Sequence, residues 1–284
     1  METVKIGNTL LVTFNTCGIS RSENVNHYIR IIHQLLNQDF DNYRVVLSSC
    51  LNDPYIRYIL ENEFGNQISY NYIDDVLPIV VTFNYTVRES IKKWGRFEGY
   101  LYVESGLDFE DNDQILKQLY NRMKSGPYSI VSGMVDTDAG YEEHNLNIAN
   151  KEGFVVIPVG KAVNGHIHIF SDLLVSYYGR GWPDIFAGYC NESVFSFLSA
   201  ALQTKWVLST ESTVKHYEEM DGRSSGFNIP KMAMTRPTWD HPFIIPSITQ
   251  RICTEECWNA GLGYEEFRQI MMHRQDQFDE QGFC

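Results

Sequence analysis

The acidic, histidine, arginine and cysteine residues of this chain form a few groups whose types and spacing permit chemistry. Glu104-Ser105-Gly106 is followed closely by Asp108. Carboxylates so placed suit a hard divalent cation such as Mg²⁺ or Mn²⁺. The alternative is a solvated acidic loop, residues 108–113, ahead of a helix. A second acidic pair, Asp136-Thr137-Asp138, is a ligand pair or a polar turn. His166 and His168 alternate on one strand face, as a metal pair or as two partly buried histidines. Glu192, after Asn191 and before an apolar helical run, has the chemistry of a general base; it is also the carboxylate that a helix N-terminus favours. Arg180, within Tyr178-Gly-Arg-Gly-Trp182, and Arg223 are loop arginines, surface cations or partners for an anionic group. Asp240-His241 reads as a loop hydrogen bond. Cys253 and Cys257 are four apart, but no second close pair completes a zinc site.

These residues need a scaffold, and the composition allows a large one. Of the 284 residues, 43% are apolar and 21% charged, which is a globular balance with one core and room for an appendage. The net charge of −13 argues against a broad basic face for polyanions, though not against a local groove. Six scattered cysteines read as free thiols of a reducing, cytoplasmic compartment. The opening METVKIGNTLLVTF is too short in its apolar run and too weakly basic for a secretory signal, and no stretch reaches membrane-spanning length.

The elements alternate. Thr9 to Phe14 reads as a buried strand. Ser20 and Glu23 form a capping box, and Val25, Tyr28, Ile29, Ile32, Leu35 and Leu36 recur at helical spacing. Tyr43 to Leu47 is the next strand, and Asp53-Pro54 opens a helix. Strands follow at Ile68 to Tyr72, Tyr100 to Val103 and Tyr128 to Val131, with helices at Asn84 to Trp94 and Asp113 to Arg122. Strands separated by helices imply an α/β fold with a mostly parallel sheet covered on both faces. Phe154 to Ile157, His166 to Phe170 and Lys205 to Leu208 read as further strands, and Asn191 to Ala201 as a helix. Residues 1–222 are expected to be the main domain. Residues 223–284, proline-rich and then helical, are expected to pack on it as an appendage.

Three segments in this order resemble the inverting GT-A glycosyltransferases of family 2. They are LLVTFNTCGISRSENVNHYIRIIHQLLNQDFDNYRVVLSS, GRFEGYLYVESGLDF, and WPDIFAGYCNESVFSFLSAAL with the following VLSTESTVKHYEE. The resemblance covers roughly residues 9–218. It implies a Rossmann-like GT-A sheet and transfer of a sugar from a nucleotide sugar, UDP-linked or similar, to an acceptor hydroxyl. Thr13, Phe14 and Asn15 would lie against the base, with Ser48 and Asp53 after the second strand. Arg88, Ser105, Gly106 and Arg180 would reach the donor. Glu104 stands at the first position of the family's DxD, and Gly106 replaces its last aspartate. The implied metal set for Mn²⁺ or Mg²⁺ is therefore Glu104 with Asp108 or His216. Glu192 takes the register of the catalytic base, while Asp136, Asp138, Trp182, Asp184 and Tyr189 fall on the acceptor side.

The acceptor class stays open among a glycan, a protein and a modified nucleic-acid base, the last as in phage-type DNA glycosylation. A non-catalytic sugar-binding relative is a further alternative, supported by the altered DxD and opposed by Glu192 and His216. A nucleotidyltransferase is disfavoured, because the loop NTCGISRS is a poor phosphate cradle.

Overall fold

The computed structural model describes residues 8–16, 25–50, 54–73, 79–109, 112–135, 153–159, 166–182 and 195–216. Its centre is β1 (Leu10–Thr16), every residue of which is buried. A strand buried on both faces must be covered by helices on both sides, and its side chains divide accordingly. Leu10, Val12 and Phe14 join a core with α1 (Val25–Leu36) and α2 (Pro54–Phe64). Leu11 points the other way, into a core with α3 (Ile79–Trp94).

Parallel pairing sets β1 between β2 (Tyr43–Cys50) and β4 (Gly99–Glu104), with β3 (Ser69–Ile73) outside β2. Beyond β4 the sheet turns mixed. β8 (Ile167–Ser171) runs antiparallel to both β4 and β6 (Tyr128–Val135). β9 (Lys205–His216) runs parallel to β6. The two-residue β5 (Leu107–Asp108) and β7 (Phe154–Val156) each pair antiparallel with β9. The order is β3-β2-β1-β4-β8-β6-β9-β5, with β7 beside β9, an open nine-stranded sheet. Helix α4 (Ile115–Lys124) packs on the α1 side through Leu116, Leu119 and Met123. The short α5 (Asp172–Tyr178) and α6 (Phe195–Ala201) cover the α3 side. No described helix is long and apolar enough to cross a membrane.

Several elements differ from the sequence expectation, three of them instructively. Helix α3 begins at Ile79, five residues before the expected Asn84. Helix α5 was not expected: Ser171 caps it by accepting from the Leu174 backbone N–H at 3.4 Å, and Gly179 closes it at φ 74°. Strand β9 continues eight residues past Leu208, because a bulge separates its two halves. Gly133 pairs with Ser209, yet the next residue, Met134, pairs with Thr213. The bulge breaks the alternation that would betray a long strand, and it carries the chain on to His216. The capping box at Ser20 and Glu23 and the appendage at 223–284 lie outside the described residues.

The bulge also makes Gly133 tight. A Cβ there would sit 2.7 Å from the Ile167 side chain and 2.9 Å from the Ser212 carbonyl oxygen. Gly133→Ala is expected to cost about 1–3 kcal/mol through overpacking. Urea unfolding would show this as a lower midpoint at unchanged slope; a wild-type midpoint would mean that the bulge yields.

Candidate functional site

The carboxyl ends of β1, β2 and β4 lie side by side, since Asn15 pairs with both Ser48 and Glu104. The chain leaves β1 toward β2 on one side, while β4 arrives on the other. This is the switch point at which open α/β sheets bind ligands.

At this edge the polar side chains are buried and ordered by the strands. Thr13 Oγ1 donates to the Leu101 carbonyl at 3.0 Å. Asn15 Nδ2 donates to the Thr13 carbonyl and hydroxyl, each at 2.8 Å, and faces the Val103 carbonyl at 3.3 Å. These bonds fix the amide orientation and leave Asn15 Oδ1 buried without a hydrogen-bond partner. An unsatisfied buried acceptor is a group that water or a ligand completes. Ser48 Oγ lies 2.6 Å from Thr86 Oγ1 of α3, and Asn71 of β3 donates to the same hydroxyl. Ser48 therefore helps to dock α3 on the sheet. Arg88 sits on α3 with its guanidinium 5.8 Å from the Tyr85 ring centroid. Arg180, directly after the helix-closing Gly179, is buried.

Glu104 ends β4 at the start of β8, and its backbone N–H donates to the His166 carbonyl at 3.0 Å. Its carboxylate is hydrogen-bonded to His166 Nδ1. The His166 ring in turn stacks on His216, centroids 4.1 Å apart and planes 21° apart. Strand pairing therefore brings together three side chains distant in sequence, from the end of β4, the residue before β8 and the end of β9. His168, two residues beyond His166, belongs elsewhere. It is fully buried, with Nδ1 2.7 Å from Ser132 Oγ, which also accepts from Trp206 Nε1 at 2.8 Å.

The turn after Glu104 is gripped by α1. His27 Nε2 donates to the Ser105 carbonyl at 2.8 Å, and Arg30 lies 3.1 Å from His27 Nδ1. Burial holds the His27 pKa below its usual value, partly opposed by the Ser105 bond, which suits a neutral ring accepting at Nδ1. Gln34 donates to Asp108 Oδ1 at 2.7 Å and accepts from the Phe109 N–H at 3.0 Å. Arg30 pairs with Asp108 Oδ2 at 3.1 Å. Residues 27, 30 and 34 share one helical face. Sequence reading missed them, since polar positions on an amphipathic helix carry no local mark of a partner.

These contacts correct three expectations. Asp108 is neither in a solvated loop nor available as the second metal ligand: it is 1% exposed, lies in β5, and both its oxygens are engaged from α1. Phe14 does not face a base, since it is fully buried with its ring 6.0 Å from that of Tyr28. Trp182 is no acceptor-side wall. It is 2% exposed among Tyr102, His168 and Phe195, with its backbone N–H donating to Asn84 Oδ1 at 3.1 Å. Gly106 and Ser105 form the turn between β4 and β5. Asp53, Asp136, Asp138, Asp184, Tyr189 and Glu192 lie outside the described residues, as do Arg223, Asp240 and His241.

For a divalent cation, the Glu104 carboxylate and the His216 imidazole are suitable donors. Among the described residues no three such groups stand as a coordination set.

No family model matches the sequence, and no curated protein does. Solved structures do. A mannosyltransferase from Pyrobaculum calidifontis, PcManGT, in complex with GDP-Man and Mn²⁺, superposes with a TM-score of 0.59 at 10% identity, over 98% of this chain and 76% of its own. TarS of S. aureus matches at a TM-score of 0.53 and 11% identity, over 81% of this chain and 40% of its own. GalNAc-T7 with UDP, GalNAc and Mn²⁺ matches at 0.53 and 10%, over 73% and 43%. At such identities the likeness speaks for architecture, and it agrees with the open, mostly parallel sheet and its polar carboxyl edge. The chain has the GT-A glycosyltransferase fold.

Proposed function

We propose that the chain is a glycosyltransferase that moves a sugar from a nucleotide-sugar donor, UDP-linked or similar, to an acceptor hydroxyl with inversion at the anomeric carbon. The observation that supports this best is the buried polar edge where β1, β2 and β4 end side by side, with Glu104 bonded to His166 and the His166 ring stacked on His216. Fold alone does not give function, so the reading rests on that site and its chemistry.

The nucleotide would lie over the ends of β1 and β2, near Thr13, Asn15, Ser48 and Asp53, with Asn15 Oδ1 as a buried acceptor for a donor group. Glu104, Ser105 and Gly106 would face the diphosphate, and Arg88 and Arg180 are the cations assigned to it. A divalent ion such as Mn²⁺ or Mg²⁺, held by Glu104 and His216, would neutralise charge on the departing diphosphate. Asp136, Asp138, Asp184 and Tyr189 are assigned to the acceptor. Glu192 takes the proton from the acceptor hydroxyl as its oxygen bonds to the anomeric carbon. The bond from that carbon to the diphosphate oxygen breaks, and the nucleoside diphosphate leaves with the electron pair.

Two measurements test this reading. In a thermal-shift panel of nucleotide sugars with Mn²⁺, one donor should raise the melting temperature. A ligand at 100-fold excess over its Kd adds about 2.7 kcal/mol. A flat panel would sink the assignment. Glu192→Gln should lower kcat roughly 10²- to 10⁴-fold, with donor affinity retained and wild-type product inverted by NMR. Joint loss of donor binding and turnover would instead mark Glu192 as a structural carboxylate.

A further inference from the structure

We infer that two copies of this chain associate edge to edge through β3, antiparallel about a two-fold axis at Asn71, so that two nine-stranded sheets become one. The inference does not depend on the glycosyltransferase reading.

β3 ends the sheet on its side, and β2 is its only partner among the described strands. An outer strand is a template for pairing with another chain, and proteins ordinarily blunt it with lysine, proline or a bulge. β3 has none of these. Its sequence is Ser-Tyr-Asn-Tyr-Ile, and its register against β2 runs unbroken from Val46–Ser69 to Cys50–Ile73. All five residues are half-buried.

The side chains above this edge are already ordered. On the α2 side the Tyr70 and Tyr72 rings stack, centroids 5.7 Å apart. The Arg57 guanidinium sits over the Tyr72 ring at 4.1 Å, and the Tyr70 hydroxyl reaches the Leu60 and Gly65 carbonyls as a donor at 3.3 and 3.2 Å. Tyrosine and arginine held in place bury contact area at little cost in entropy, and interfaces are enriched in both. On the opposite side the Asn71 amide is committed to Thr86 of α3, which leaves the backbone and the tyrosines to make the contact.

Symmetry selects a second copy as the occupant. A two-fold contact needs a surface that complements itself. With the axis at Asn71, Tyr70 of each copy faces Tyr72 of the other, an aromatic cross-strand pair made twice. α2 runs opposite to β3, with Arg57 level with Tyr72, and Leu60 to Gly65 level with Tyr70. Turning the second copy over therefore sets Arg57 of each level with Glu61 of the other. Glu61 is exposed on the same rim, where its charge adds to burial in holding the Tyr72 phenol above its usual pKa. Opposite charges then meet at two symmetric places, on a chain whose net charge of −13 otherwise opposes self-association.

The test is sedimentation equilibrium of the full-length protein across a wide range of concentration. Wild type should pass from monomer to dimer. Hydrogen exchange of the β3 amides should slow as the dimer fills, a readout that needs no variant. Arg57→Glu alone and Glu61→Arg alone each set like charges against one another twice, and each should raise the dimer Kd about 10-fold or more. Mixed in equal amounts, the two variants should form a heterodimer tighter than either homodimer, because each then meets its opposite. A merely structural role for either residue would not give that result. Glu63→Gln is the control: this carboxylate is bound to His33 on the α1 side of α2, and its loss should leave the Kd unchanged. A chain that stays monomeric at every concentration would overturn the inference. So would a dimer whose β3 amides exchange as in the monomer, a Kd within twofold of wild type in both charge variants, or a mixture that yields no heterodimer.

Discussion

A carboxylate taken out of water must be paired, and the Asp108 carboxylate is paired from a helix rather than from its own strand. Arg30 and Gln34 of α1 reach across to its two oxygens, and Gln34 also takes the next backbone N–H. Hydrogen bonds to charged groups contribute about 1.5–3 kcal/mol each, while Arg30 is 44% exposed and so adds less than a buried partner would. The consequence is positional. α1, already fixed on β1 by Tyr28, Ile31 and Leu35, becomes the wall against which the turn after Glu104 is set. His27 adds a bond to the Ser105 carbonyl within the same turn. Asp108, two residues beyond Gly106, is part of the frame that holds the turn after Glu104.

Much of the frame is written in local pattern. The apolar run of β1 and the helical spacing from Val25 to Leu36 each follow from what a buried strand or an amphipathic helix must look like, and both are found within a few residues of expectation. What local pattern does not carry is pairing across long stretches of chain. Strand β9 reads as ending at Leu208 because a bulge upsets its alternation. Two-residue β5 is too short to have a pattern at all. Helix α5 had its signals, Ser171-Asp172 and Gly179, but it follows β8 without a loop and was hidden by it.

The site divides along the same line. Glu104 and His216 were picked out by resemblance to an ordered series of elements, and the fold sets both against His166. The place of Asp108 was misread because its partners lie 74 and 78 residues upstream on α1. Trp182 was read by type, as an aromatic suited to sugar faces. Its neighbours Tyr102, His168 and Phe195 make it part of the core instead. Burial decides such cases, and burial depends on contacts that spacing alone does not reveal.

The mixed half of the sheet then has a clear physical role. Were β8 parallel to β4, its first residues would lie at the opposite edge, and His166 could not stand beside Glu104. Because β8 runs antiparallel, its start meets the end of β4, and the pair Val103–Ile167 is the last rung before Glu104 and His166. β9 arrives from the far side, parallel to β6, and its final residue pairs with Leu107 just beyond the turn. Reversing one strand and bulging another therefore set His166 beside the carboxylate that the parallel half of the sheet presents, and His216 against the His166 ring.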